Sequence, residues 1–311
     1  MTAPTQTDVV TGAFSYSGAA IARELRAAGH QVRTLTGHPG RAPADSGIDV
    51  RPLAFADPGA LERDLAGAHT LYCTYWVRFS RGDTTHETAV RNSQVLFGAA
   101  ARAGVQRIVH VSITHADPAS PYPYFRGKGE VEGHLRACGV PYAIARPAIL
   151  FGGNGVLLNN IAWLLRRVPV FAIGGGGDYR IRPIHVDDLA KFCVDLGGRP
   201  DSVTVDAVGP ESVTFREMVT AIKVATGSKA LIVPAPGWLI PPLSAALGVA
   251  LRDVLLTREE YQAMAAGLAD SAAPATGETV LTDWITAHGA ELGRSYANEL
   301  DRHFRLTPTR A

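Results

Sequence analysis

TGAFSYSG, residues 11–18, decides the fold. It follows the β-rich run DVVT (8–11). It precedes a stretch in which Ile21, Leu25 and Ala28 recur at helical spacing before Gly29 closes the pattern. A strand that turns through glycine into a helix is the context a dinucleotide-binding loop requires. The first backbone amides of the helix and its dipole then face an anion such as a pyrophosphate. Gly12 and Gly18 stand at the first and last glycine positions of such a loop, and Ser15 stands at the middle one. A Cβ at Ser15 either crowds the phosphates or brings a hydroxyl that bonds them. Phe14, Tyr16 and Ser17 complete the expected cofactor contacts of the loop.

Working outward, β-rich runs alternate with helical patterns. The runs are QVRTLT (31–36), DVRPL (49–53), HTLYCT (69–74), RIVHVS (107–112) and YAIARP (142–147). Such alternation predicts a Rossmann-type α/β fold, a doubly wound parallel sheet covered on both faces. After residue 150 glycines cluster at 152–155 and 174–177, and a helical run spans Leu157 to Arg167. IRPIHVDDLAKFCVDL (181–196) reads as a short strand and a helix, and VTVDAVG (203–209) as another strand. The expected division is a dinucleotide-binding domain over 1–150 to which 184–200 returns. A smaller, mainly helical substrate-binding domain is expected over 151–183 and 201–311.

Composition narrows the function. The 311 residues carry 30 basic and 29 acidic side chains, a net charge of +1, which offers no field to recruit nucleic acid or anionic membrane. Cys73, Cys138 and Cys193 are scattered, with no ligand spacing, and no histidine pattern suggests a metal. The apolar stretch Trp238 to Leu251 contains Pro241 and Pro242 and is too short to cross a membrane. No signal-peptide pattern opens the chain, so a cytoplasmic enzyme is expected. A homodimer is kept open.

At the end of the second run, Leu35-Thr36-Gly37-His38-Pro39-Gly40-Arg41 contains no carboxylate to accept ribose hydroxyls. Arg33, His38 or Arg41 is available to a 2′-phosphate, so NADP(H) is expected over NAD(H). Asp57 is placed to approach the adenine end. Tyr124 and Lys128 lie four apart and share one helix face. With nine tyrosines and four lysines in the chain, chance supplies about 0.1 such pair. An ammonium beside a phenol stabilises phenolate, so Tyr124 would exchange a proton with a carbonyl or alcohol while Lys128 holds the ribose. Ser112 or Thr114, at the end of RIVHVS, would polarise the substrate oxygen. After the fourth run, Thr74 and Tyr75 are placed to border the nicotinamide, and Trp76, Arg78 and Phe79 to form a substrate wall. Asp187 and Asp188 read as acids at a helix N-terminus.

These segments resemble the short-chain dehydrogenase/reductase superfamily in its extended or atypical branch, over nearly the whole chain. The resemblance rests on TGAFSYSG, AVRNSQVLFGAAARAGVQRIVHVS (89–112), YFRGKGEVE (124–132), ARPAILFG (145–152) and IHVDDLA (184–190). NNIAWLLRRVPVF (159–171) and LTREEY (256–261) are similar to the NAD-dependent epimerase/dehydratase-like group, which includes the NDUFA9-type complex I accessory subunit and NmrA-like proteins. Pro147 to Leu150, with Ile149, resembles the segment lining the nicotinamide in this superfamily. Three departures stand out. Ser15 replaces a glycine. Ile181, between Arg180 and Arg182, occupies the position where epimerases carry a diphosphate-binding arginine. The hydroxyl-to-tyrosine interval is short. Arg182 remains a candidate substrate contact. The resemblance implies an NAD(P)(H)-dependent oxidoreductase acting on a small carbonyl or alcohol. It leaves open a sugar-nucleotide epimerase or dehydratase, and a non-catalytic NADP(H)-binding sensor or assembly protein.

Overall fold

Strands buried on both faces read as unbroken apolar runs, and Val9, Val10, Leu71, Ile108, Val109, Ala143 and Ile144 are such positions, each 0% exposed. The computed structural model describes residues 6–303; positions 1–5 and 304–311 of the two expected domains lie outside the described residues. The first unit, running to Pro147 and resuming over Val186–Ala207, holds a seven-stranded sheet.

Its elements in chain order are β1 (Thr7–Thr11), α1 (Tyr16–Ala27), β2 (Gln31–Thr36), β3 (Asp49–Pro52), α2 (Pro58–Leu65), β4 (Thr70–Cys73), α3 (His86–Arg102), β5 (Arg107–Val111), α4 (Pro123–Ala137) and β6 (Tyr142–Pro147). After an excursion to the second unit come β7 (Leu150–Phe151), α5 (Val156–Leu165), β8 (Val170–Gly174), β9 (Arg180–Ile181) and β10 (Ile184–His185). α6 (Val186–Gly198) and β11 (Val203–Ala207) then rejoin the first unit.

All neighbouring strands of the large sheet run parallel, in the order β11-β6-β5-β4-β1-β2-β3. Leu61 and Leu65 of α2, Leu96 and Phe97 of α3, and Val131 and Leu135 of α4 pack with Val9, Leu71, Ile108 and Ile144 into one core layer. Each such burial contributes roughly 1.5–3 kcal/mol relative to an exposed side chain. α1 and α6 pack together, and α6 also lies against β5 and β6. The Rossmann-type doubly wound sheet is therefore present. The strand at 203–207, which local pattern alone leaves with the second segment, pairs with β6 from Val203↔Ala143 to Ala207↔Pro147. Ile184 and His185 pair instead with Leu150 and Phe151.

The second unit, Ala148–His185 and Val208 onward, adds β12 (Val213–Thr214), α7 (Phe215–Ala225), β13 (Leu231–Ala235), α8 (Ile240–Leu251), α9 (Arg258–Ala265), α10 (Leu281–His288) and α11 (Glu299–His303). Its short strands pair as β7 with β10, β9 with β12 and β8 with β13. Phe151, Leu158, Ile161, Met218, Val219, Ile222 and Ile285 form its own core. α7 and α9 each open with a capping box, at Thr214/Glu217 and Thr257/Glu260. No helix among the described residues is long and apolar enough to cross a membrane.

Candidate nucleotide and proton-transfer site

Because every strand of the large sheet is parallel, the C-terminal ends of β1, β4, β5 and β6 share one edge. The strand order runs away from β1 in both directions, which makes the β1/β4 boundary the switch point where a crevice opens. The glycine loop leaves β1 at that boundary. Gly12 has φ +67, a conformation disfavoured for side chains with a Cβ, and its N–H bonds the Leu35 carbonyl at 2.9 Å. A Cβ on Gly18 would lie 2.2 Å from the Gly12 carbonyl oxygen, so the first turn of α1 can pack on the loop only with glycine there. The exposed Ser15 caps α1 in position without a side-chain capping bond. Its hydroxyl donates to the Gly12 carbonyl at 2.6 Å and closes the loop on itself. Phe14, Tyr16 and Ser17 are half-buried beside it.

The loop is tied to the next strand end. The Thr74 hydroxyl donates to the Thr11 carbonyl at 2.6 Å, and the Thr74 N–H donates to the Thr11 hydroxyl at 2.7 Å. The Tyr75 hydroxyl accepts from Asn92 at 2.9 Å, and its ring lies 4.7 Å from Phe55.

Around the end of β2 the expected phosphate contacts separate. Arg33 is engaged elsewhere, donating to Asp49 at 2.7 Å and to the Asp64 carbonyl at 2.7 Å. His38 is exposed and leads into a single turn over Pro39–Arg41, where Arg41 is half-buried. Asp57 is the N-cap of α2, accepting the Ala60 N–H at 2.9 Å, which is a structural role.

α4 carries Tyr124 and Lys128 one turn apart. Lys128 is 2% exposed; its ammonium donates to the Val111 carbonyl at 2.8 Å and sits 4.8 Å from the centre of the Trp76 ring. Burial pushes its pKa down from 10.5 to about 7, against the pull of Cys73 and Glu132. Tyr124 meets Trp76 and His86 edge-on, each at 5.7 Å, and those two rings lie parallel at 5.7 Å. Trp76 is thus part of the packing around the pair. Arg78 rests 5.8 Å from the Phe79 ring, on the same loop.

The two candidate hydroxyls diverge. Ser112 donates to the buried Glu132 carboxylate at 2.7 Å. That carboxylate also accepts from Arg146 at 2.8 and 2.5 Å and from Arg136 at 2.8 Å. Burial opposes its ionisation, but Arg146, Ser112 and Arg136 outweigh burial and hold the pKa below the usual value. Ser112 is therefore part of a buried ionic clamp. Thr114, 0% exposed, follows it, and its N–H bonds the Pro147 carbonyl at 3.0 Å. Sequence reasoning missed Glu132 and Arg146. Their signal was present, as an acid one helical turn past Lys128 and an arginine inside an otherwise apolar strand.

Of the remaining candidates, Ile149 and Arg182 belong to the second unit, and Asp187 and Asp188 to the first. The Ile149 carbonyl accepts the Ile184 N–H at 2.9 Å. Arg182 donates to the carbonyls of Gly209 at 2.9 Å, Ser271 at 2.9 Å and Ala273 at 2.6 Å, so its guanidinium fastens two backbone segments, at 209 and 271–273. Asp187 and Asp188 lie in the first turn of α6, and Asp187 pairs with Arg23 of α1. Among the described residues no group of three or more metal-ligating side chains occurs.

A switch-point glycine loop and a Tyr/Lys helix on one sheet edge define a nucleotide-binding protein of the extended short-chain dehydrogenase/reductase type. The family model described as NAD(P)H-binding matches residues 12–197, and the chain belongs to that family. It is 27% identical over 228 residues to a (4-alkanoyl-5-oxo-2,5-dihydrofuran-3-yl)methyl phosphate reductase of Streptomyces griseus, covering 70% of this chain and 73% of that one. It is 26% identical over 186 residues to the mitochondrial NADH-ubiquinone oxidoreductase 40 kDa subunit of Neurospora crassa, covering 59% of this chain and about half, 48%, of the subunit. Among solved structures, Citrobacter sp. triphenylmethane reductase complexed with NADP(H) shares the fold, with a TM-score of 0.75, 20% identity, and coverage of 91% of this chain and 99% of that one.

Proposed function

We propose that this protein is an NADP(H)-dependent reductase of a small carbonyl compound, running in reverse on the alcohol. The observation that carries the reading is α4, which sets Tyr124 and the buried Lys128 one turn apart beside the strand end at Val111. Gly12, at φ +67, turns the chain and Gly18 lets α1 pack on the loop, so the first backbone amides of α1 start at the end of β1, a fit for a pyrophosphate. The absence of an acid after β2, with His38 and Arg41 in its place, favours a 2′-phosphate.

When bound, the nicotinamide supplies the hydride for the carbonyl carbon and is itself oxidised. Tyr124 gives the proton that the carbonyl oxygen takes up. Lys128 lowers the cost of the resulting phenolate and offers donors to the ribose. Thr114 orients the substrate oxygen, since Ser112 is committed to Glu132.

A panel of aldehydes, ketones and quinones tests this with NADPH absorbance. Substrate-dependent oxidation is expected. Tight NADPH binding with no oxidation on any member would favour a sensor or assembly role.

A further inference from the structure

Trp76 has a seat made for it. A Cβ on Gly127 would lie 2.8 Å from the far edge of the indole, so the glycine beside Lys128 leaves the room that the ring occupies. His86 lies parallel to the indole and Tyr124 stands edge-on to it. The Lys128 ammonium sits 4.8 Å from the ring centre. The indole Nε1 and His86 Nε2 are buried and have no hydrogen-bond partner among the described residues. An unpaired buried N–H is costly, and phenylalanine or leucine would fill the space without it. What indole adds over those side chains is the strongest π face for a cation.

We propose that Trp76 is a positioning residue for Lys128, its ring face holding the buried ammonium charged and in place. This deepens the reductase reading and rests on it for its role in turnover. The other groups around Lys128 leave this task open. Glu132, one turn along α4, is the nearby anion, but Arg146, Arg136 and Ser112 already bond it. Burial raises the Cys73 thiol of β4 to about 11, so it is neutral at pH 7. His110 of β5 is kept neutral by burial and by Lys128 itself. The Val111 carbonyl supplies one hydrogen bond, and Tyr124 is the group whose proton the ammonium serves. Burial works against the charge on Lys128, and the ring face is a group placed to work the other way.

The test is an NMR titration of protein labelled with 13C at lysine Cε. Only four lysines occur, at 128, 191, 223 and 229, so Lys128→Arg assigns the resonance. Trp76→Leu keeps the site apolar and removes the π face. Its Lys128 midpoint is expected to fall by about one pH unit, and Trp76→Phe to fall by less. An unchanged or higher midpoint in Trp76→Leu overturns the proposal. Should that variant fail to fold, an unchanged midpoint in Trp76→Phe does the same. In the reductase assay, the alkaline limb of kcat should move down with the titration in Trp76→Leu, while a purely structural role would lower kcat at every pH alike. NADP+ calorimetry on wild type separates the two levels: no binding would sink the reductase reading, while the lysine titration would still decide the role of the ring.

Discussion

Gly18 and Glu132 show how single side chains fix this site. At Gly18 the missing Cβ is the functional feature, because 2.2 Å to the Gly12 oxygen admits no substituent without opening the loop. Gly18→Ala is expected to weaken NADPH binding at least tenfold and to lower the melting temperature, read by calorimetry and thermal unfolding. Glu132 is 0% exposed and bonded by two arginines and Ser112. Glu132→Ala leaves Arg146 uncompensated and should cost about 3–5 kcal/mol in urea unfolding. Its lowered pKa also has a sign. The clamp contributes fully above the ordinary glutamate range and is lost as pH falls through the folded value, so wild type should weaken in acid more steeply than Glu132→Ala. The role of Glu132 does not follow from local pattern. Gly18 was legible because a loop motif fixes its position. The engagement of Ser112, Arg33 and Arg182 was not, because their partners lie far along the chain.

At the scale of elements, α4 is built against its own propensity. Gly127 and Gly129 each weaken a helix interior by roughly 0.5–1 kcal/mol, yet both are required by close contacts. One faces Trp76, and a Cβ on the other would lie 2.3 Å from the Pro118 nitrogen. The glycines let the helix lie close enough to bury Lys128 and Glu132. Burial of that lysine is a stability cost with a pH signature. Its pKa is about 7 in the fold and near 10.5 when unfolded, so the unfolded state binds more protons between those values. The cost is full below pH 7 and fades as pH rises toward 10.5. Lys128→Met should therefore gain most on wild type near pH 6, and the gain should shrink by pH 10; a gap independent of pH would contradict a buried, depressed lysine. The Tyr124/Lys128 spacing was readable in sequence. That Trp76 would lie against Lys128 was not, since a loop aromatic carries no periodic signal.

At the scale of the molecule, the parallel sheet was the most legible feature, because strands covered on both faces are apolar throughout. QVRTLT and YAIARP coincide with β2 and β6. The last strand was harder: β11 joins β6 across an excursion through the second unit, and only the pairing itself reveals where it belongs. The sheet brings together groups from four strand ends, the edge at which proton transfer beside a nucleotide is proposed. Tyr124→Phe tests it most directly, with NADPH affinity and substrate-dependent NADPH oxidation measured on the same preparation. Affinity within about threefold of wild type and turnover reduced by roughly 10²–10⁴ are expected; turnover at the wild-type rate would contradict proton transfer by Tyr124.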